Sequence, residues 1–310
     1  MRYIRDIGEG SRIQDIYYCK SKLVTETRNG KPYESLVIQD KTGTMDAKVW
    51  EPYSPAIGEY EAGDYIEITG DVIVFNGSRQ AKISRLRKAQ DIDYNPADYM
   101  PMTSKNIDEM YEELLKLADS VEDKDLHAML DAFFKDEEFA KVFKWSSAAK
   151  TVHHGFIGGL LEHSLAVGKL CDHLSGSYPV LNRDLLVSAA LLHDIGKTRE
   201  LSPYPDNDYT DEGQLMGHIV IGAMMVSEKA KEIDGFSQKT LTDLQHCILA
   251  HHGELEFGSP KKPALIEALA LSFADNLDAK LETFKEQMDN SDKDGWLGFC
   301  KFLDSNIRRT

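Results

Sequence analysis

The hydrophobic period of this 310-residue chain changes once, and that change limits what it can fold into. Up to about Leu86 the apolar residues alternate as in half-buried strands, whereas beyond Ile107 they recur every three or four positions, as on helices. Between the two lies AQDIDYNPADYMPMTSKN, with two prolines and mixed polarity, which fits neither pattern. Length alone also favours two domains. We therefore expect residues 1–90 to form one domain, 91–106 a linker and 107–310 a second domain.

In the first domain SLVIQD and TMDAKVW flank the turn residues DKTG, and YIEITGDVIVF and SRQAKISRL flank Asn76-Gly77, a strong hairpin signal. Ile66, Ile68, Val72 and Val74 share one parity around Gly70, so they are expected to face inward together, with the glycine allowing a bend or bulge. Short strands joined in this way predict an all-β closed or nearly closed barrel, the OB-fold being the leading candidate. SRQAKISRLRK contributes Arg79, Lys82, Arg85, Arg87 and Lys88 without an acid, and Tyr33, Trp50 and Phe75 lie on or beside strands. Cations and ring faces together bind unpaired bases. The alternative is that the rings are core and the cations a solvated strand end, and strand parity does not put all five cations on one face.

The second domain is expected to be all-α, with amphipathic stripes from Ile107 to Leu117 and near 124–144, 156–174, 183–195, 213–233, 237–251 and 263–288. The net charge of −16 is distributed unevenly. Residues 1–90 hold 14 Lys plus Arg against 13 Asp plus Glu, a net of +1; the remaining 22 basic and 39 acidic residues leave 91–310 at −17. An acidic, histidine-bearing domain suits the binding of divalent cations, although a merely solvated acidic surface carries the same charge. Cys19, Cys171, Cys247 and Cys300 form no C-x-x-C pair, so buried free thiols are expected rather than disulfides or a thiolate zinc site. MRYIRDIGEGSRIQ does not read as a secretory signal, and no apolar run approaches the roughly 20 residues that span a bilayer. A cytoplasmic protein with no membrane partner is expected.

Histidine is the informative residue. Nine of the ten lie between His153 and His252. They occur in LLEHSLAV (His163), LLHDIGK (His193, followed by Asp194), GHIVIG (His218) and LAHHGE (His251, His252), and SFADNLDAK adds Asp275. Imidazole nitrogens with carboxylate oxygens suit Mn, Fe, Co, Ni or Zn. Adjacent residues on a helix diverge by roughly 100°, so His193 and Asp194 point apart, but a carboxylate can bridge two ions. A lone buried histidine is more often bonded to a carbonyl; burying so many without return would be costly. His246 and the pair His153 and His154 keep the structural reading, with a substrate role open for the pair because His163 is near. Gly196 is expected to let the backbone turn so that Lys197 faces the cleft.

These motifs, H…HD…H…HH…D on successive helices, resemble the HD-domain metal-dependent phosphohydrolase superfamily over about residues 145–285. The whole chain, a barrel followed by GGLLEHS, LLHDIGK, GQLMGHI, HHGELEFGSP and DNLDAK, is similar to the bacterial YhaM-type 3′→5′ exoribonuclease family. The resemblance implies one ion held by His163, His193, Asp194 and Asp275, and a second sharing Asp194 and taking His218 and His251. His252 is left as either a ligand or a substrate contact. Lys197 would reach a phosphate oxygen, or else compensates a helix dipole. Two such ions activate a water, orient in-line attack and stabilise the leaving oxygen. Mn²⁺ is the metal the resemblance favours, and a homo-oligomer the assembly.

The function expected is hydrolysis of single-stranded RNA, with single-stranded DNA as a second substrate, to nucleoside 5′-monophosphates. Trp50, Phe75, Arg79, Lys82 and Arg85 would contact the strand. The alternative is a phosphohydrolase of small nucleotides whose barrel serves assembly; the lack of G-Y-P after HHGE argues against a cyclic dinucleotide. A third reading, a nucleic-acid binder with an inert helical domain, conflicts with the full ligand set. No P-loop or G-x-S-x-G offers a different chemistry.

Overall fold

A computed structural model describes residues 2–27, 29–75, 78–95, 98–150, 154–289 and 294–310. The Asn76-Gly77 turn and His153 lie outside the described residues. The chain divides into two compact units, Met1–Met102 and Thr103–Thr310.

The first unit is a closed barrel of β1 (Arg12–Glu26), β2 (Pro32–Asp40), β3 (Gly43–Val49), β4 (Tyr65–Phe75) and β5 (Ser78–Lys88) in the order β1-β2-β3-β5-β4, an OB-type barrel. Inward residues alternate along each strand, and Tyr17, Leu36, Ile38, Ile66 and Ile68 are almost wholly buried among them. Gly70 sits at a register shift between β4 and β5. A Cβ there would lie 2.4 Å from the Lys82 carbonyl oxygen, so the bulge needs glycine for close backbone approach. Val74 departs from the parity expectation: Val72 is buried, but Val74 is 43% exposed because β4 there runs past the barrel as a two-stranded arm with β5.

Much of the stretch read as a linker packs with the barrel. The Tyr94 ring stacks on Tyr65 with centroids 3.9 Å apart, and the Gln39 amide donates to the Tyr99 carbonyl at 3.1 Å.

The second unit contains α1 (Ile107–Asp119), α2 (Lys124–Phe134), α3 (Glu137–Trp145), α4 (Gly159–Ser177), α5 (Arg183–Leu192), α6 (Lys197–Glu200), α7 (Asp211–Glu232), α8 (Gln238–Ala250) and α9 (Ile266–Asp289). Side chains of Asn106, Asp123, Asp136, Asn182, Thr210 and Ser237 cap the N-termini of six of them by accepting from backbone N–H groups. The Asp136 cap splits the apolar stripe near 124–144 into two helices. Helix α5 is buried from Leu185 to Leu192 and packs against α1, α2, α4, α8 and α9, which explains why its sequence lacks a polar face. The unit is not helical throughout, because β6 (Trp296–Cys300) and β7 (Ser305–Arg308) form a C-terminal hairpin. All four cysteines are free and buried. No described helix is long and apolar enough to cross a membrane.

Candidate active site

Helix α5 stops at Leu192, and His193 and Asp194 follow it into a turn, both fully buried. They meet His163 from α4, His218 from α7, His251 at the end of α8 and Asp275 from α9. Asp194 is the centre of the group. Its Oδ2 lies 3.3 Å from His193 Nε2 and 3.5 Å from His163 Nε2, and the Asp275 carboxylate is 3.1 Å from the same His163 nitrogen. Its other oxygen, Oδ1, lies 3.5 Å from His218 Nε2 and 3.6 Å from His251 Nε2. Each Asp194 oxygen therefore faces its own pair of imidazoles.

The outer nitrogen of every ring is already engaged. Nδ1 of His193 donates to the Ala190 carbonyl and Nδ1 of His251 to the Ile248 carbonyl, both at 2.7 Å. His163 Nδ1 is 2.7 Å from Asp278 and His218 Nδ1 is 2.9 Å from Glu200. His252 Nδ1 donates to the Phe257 carbonyl at 2.7 Å. Carbonyls and ionised carboxylates only accept, so these protons sit on Nδ1, and Nε2 is the ring nitrogen turned toward the centre.

Such an arrangement needs a cation. His218 Nε2, His251 Nε2 and Asp194 Oδ1 are buried acceptors with no hydrogen-bond partner. His163 and His193 bring their Nε2 atoms within 3.2 Å of each other. Donor atoms bound about 2.1 Å from one ion are roughly 3.0 to 3.5 Å apart, close to the spacings found here. Imidazole and carboxylate donors at these positions fit divalent metal ions, and leaving them unpaired would cost several kcal/mol, on the order of 1–3 for each atom.

Electrostatics without metal follow the same geometry. Burial opposes the charged form of His163, but Asp275 and Asp278 outweigh it and raise its pKa to about 9. Burial also opposes ionisation of Asp194, yet Lys197 and the surrounding histidines hold it well below the usual carboxylate range. Burial drives His251 down, reinforced by His193 and His252, so its ring is neutral.

Lys197 opens α6, and its ammonium is 2.6 Å from Asp194 Oδ2. That contact turns its ammonium toward the centre. Gly196 differs from expectation: its φ of −60° is ordinary helical backbone. A Cβ on Gly196 would lie 2.0 Å from the His218 carbonyl oxygen, so glycine is required for α7 to approach and deliver His218.

Two supporting residues were not singled out in the sequence. Asp278 holds His163 and also His154 Nε2, at 3.0 Å, and Glu200 holds His218. Asp278 stands three positions after Asp275, the spacing that places two side chains on one helix face, and that spacing is the signal that was there to be used. His154 is buried with a left-handed φ of 59° and joins the centre through Asp278. His246 keeps its structural role, accepting from the Ala264 N–H at 2.8 Å.

The centre opens on a cleft of about 680 Å³, lined among others by His163, Asp275, Lys197, His252 and Phe257. On the barrel, Trp50 is 42% exposed and stacks on Tyr33 with centroids 4.8 Å apart, and Trp50 and Lys82 line one shallow pocket. Phe75 and Arg85 are exposed. Arg79 is instead committed to the fold: its guanidinium donates to the carbonyls of Ile4 at 3.0 Å and Ile7 at 2.6 Å.

Residues 160–280 match the HD domain family. The chain is 36% identical over 267 residues to 3′-5′ exoribonuclease YhaM of Geobacillus sp. (strain WCH70), covering 85% of this chain and 82% of the relative. It is 34% identical over 277 residues to YhaM of Listeria welshimeri, covering 89% and 88%. Among solved structures, the second OB-fold domain of replication protein A from Methanococcus maripaludis is similar over 29% of this chain and 95% of that one, at 17% identity and a TM-score of 0.22. With identity of this extent running through both units, the chain belongs to the YhaM family of HD-domain 3′-5′ exoribonucleases.

Proposed function

We propose that the protein is a metal-dependent 3′→5′ exoribonuclease that hydrolyses single-stranded RNA, and single-stranded DNA as a second substrate, to nucleoside 5′-monophosphates. The observation that carries this reading is Asp194, whose two oxygens face separate sets of imidazole nitrogens. His163, His193, Asp194 and Asp275 would hold one ion, and Asp194, His218 and His251 a second; the family resemblance favours Mn²⁺, which mixed nitrogen and oxygen donors accommodate. Such ions supply an activated water and stabilise charge on the departing oxygen.

The chain's own groups do the positioning. Lys197, kept charged against burial by Asp194, presents an ammonium to a phosphate oxygen. His251 is the buried neighbour of Asp194, which supports it as the ligand, whereas His252 lines the cleft and faces substrate. Trp50, Phe75, Lys82 and Arg85 of the barrel hold the strand by stacking and charge. Arg79 is exposed as well, but its guanidinium is bonded to the Ile4 and Ile7 carbonyls.

The same reading has the enzyme cytoplasmic and assembled from copies of itself. Ile266, Leu269, Phe273, Leu277 and Leu281 form an exposed apolar stripe along one side of α9, which supports self-association.

The test uses purified protein with Mn²⁺, 5′-labelled and 3′-labelled single-stranded RNA, and a panel of nucleotides. Stepwise shortening of the 5′-labelled strand is expected. Intact RNA with cleaved nucleotides would replace this reading by a small-molecule phosphohydrolase.

A further inference from the structure

The cleft is lined by groups of two different chemistries. His163, Asp275 and Lys197 belong to the centre, and two phenyl rings, Phe257 and Phe302, each 62% exposed, line the same cleft. Neither ring is needed to fill a core. Phe257 follows the His251-His252 pair, and its carbonyl accepts from His252 Nδ1 at 2.7 Å, so its place is tied to the histidine cluster. Phe302 lies in the turn of the β6–β7 hairpin, which is anchored to the end of α9 by the Arg309 guanidinium donating to the Met288 carbonyl.

Exposed rings beside a centre that acts on phosphate offer flat apolar faces to a flat apolar partner. Nucleobases are such partners, and stacking accepts any base. A cation accompanies the rings: Lys280 on α9 lines the same cleft, is exposed, and pairs with no described carboxylate although its unit is strongly acidic. An unpaired ammonium next to stacking faces suits the backbone of a strand.

We propose that Phe257 and Phe302, with Lys280, form a subsite that stacks the unpaired bases at the 3′ end of a nucleic-acid strand and so presents its last phosphodiester to the metal centre. This rests on the nuclease reading above, and it gives the C-terminal hairpin a function. A strand would then be held twice, on the barrel and in the catalytic unit itself.

The Mn²⁺-loaded full-length enzyme is assayed on a 5′-labelled RNA with ordinary 3′-terminal nucleotides and on one whose 3′-terminal nucleotides are abasic. Phe302→Ala and Phe257→Ala should each lower kcat/KM on the ordinary strand about tenfold, and by clearly less on the abasic strand; Phe302→Tyr should restore the ordinary rate. Equal losses on both strands, or none, would overturn the subsite. A binding measurement separates this from the nuclease reading: emission of Phe302→Trp, with wild type subtracted, should be quenched by AMP and not by ribose 5-phosphate. Lack of that difference overturns the subsite whether or not the wild type shortens RNA. Wild-type protein that leaves RNA intact overturns the nuclease reading instead.

Discussion

Asp278 Oδ2 lies 2.7 Å from His163 Nδ1, and the same oxygen lies 3.0 Å from His154 Nε2. One carboxylate thus fixes the tautomer of a buried imidazole in the centre and ties a loop histidine to it. Removing such a partner typically weakens metal binding about 10- to 100-fold. Asp278→Ala should lower Mn²⁺ affinity by that factor in a calorimetric titration while circular dichroism stays native. An unchanged affinity would show that α4 packing alone orients His163.

Asp194 is where the two donor sets meet, so its loss cannot be repaired by the other ligands. Asp194→Ala should cut hydrolysis of RNA by roughly a thousandfold or more. The variant should still fold, although Lys197, now without a counter-ion, would lower the melting temperature. A rate near wild type would mean that the centre is elsewhere.

Proton and metal compete for His163. Its pKa is raised from 6.5 to about 9, so in metal-free protein its contribution to stability is complete below about pH 6.5 and is lost as pH rises through 9. The loss is on the order of 3 kcal/mol. Melting of chelator-treated protein should therefore fall between pH 7 and 9.5, while Mn²⁺ affinity rises over the same interval as the proton leaves. A flat melting profile would contradict the Asp275 and Asp278 contacts.

The residues that meet around Asp194 were legible in the sequence because metal chemistry accepts few side chains, and His163, His193, His218 and His251 each stand in or at the end of an apolar helical run. Supporting residues were harder to read, since Glu200 looks like any acid in a unit rich in acids and Asp278 is marked only by its three-residue spacing from Asp275. Gly196 was visible but misread: a glycine required by a tertiary contact and one required by a left-handed turn are the same letter. The barrel strands followed from alternation, whereas Val74 kept the parity after the strand had left the core. The β6–β7 hairpin is too short to carry a period against the long helix before it.

Gly196 also yields a prediction of its own. Gly196→Ala places a methyl where the His218 carbonyl oxygen stands, and overpacking of this kind costs about 1–3 kcal/mol. The melting temperature should drop and Mn²⁺ affinity with it, because α7 must retreat and takes His218 along. Loss of stability with unchanged metal binding would show that the relief comes from the α6 side.

The barrel cations separate into two roles that one pair of substitutions distinguishes. Lys82 is exposed beside Trp50, so Lys82→Ala should weaken binding of a long single strand by severalfold and make it less dependent on salt, with little change in melting. Trp50→Ala should cost affinity by about 1–3 kcal/mol through lost stacking. Arg79 spends its guanidinium on the Ile4 and Ile7 carbonyls, which close the barrel against its N-terminal segment. Arg79→Ala should therefore lower the melting temperature first, and RNA affinity only in proportion to the unfolded fraction. Filter binding at two salt concentrations, set beside thermal melts, reads both quantities. If Arg79→Ala flattened the salt dependence with its melt unchanged, its carbonyl bonds would be dispensable and the arginine would belong to the strand-binding surface.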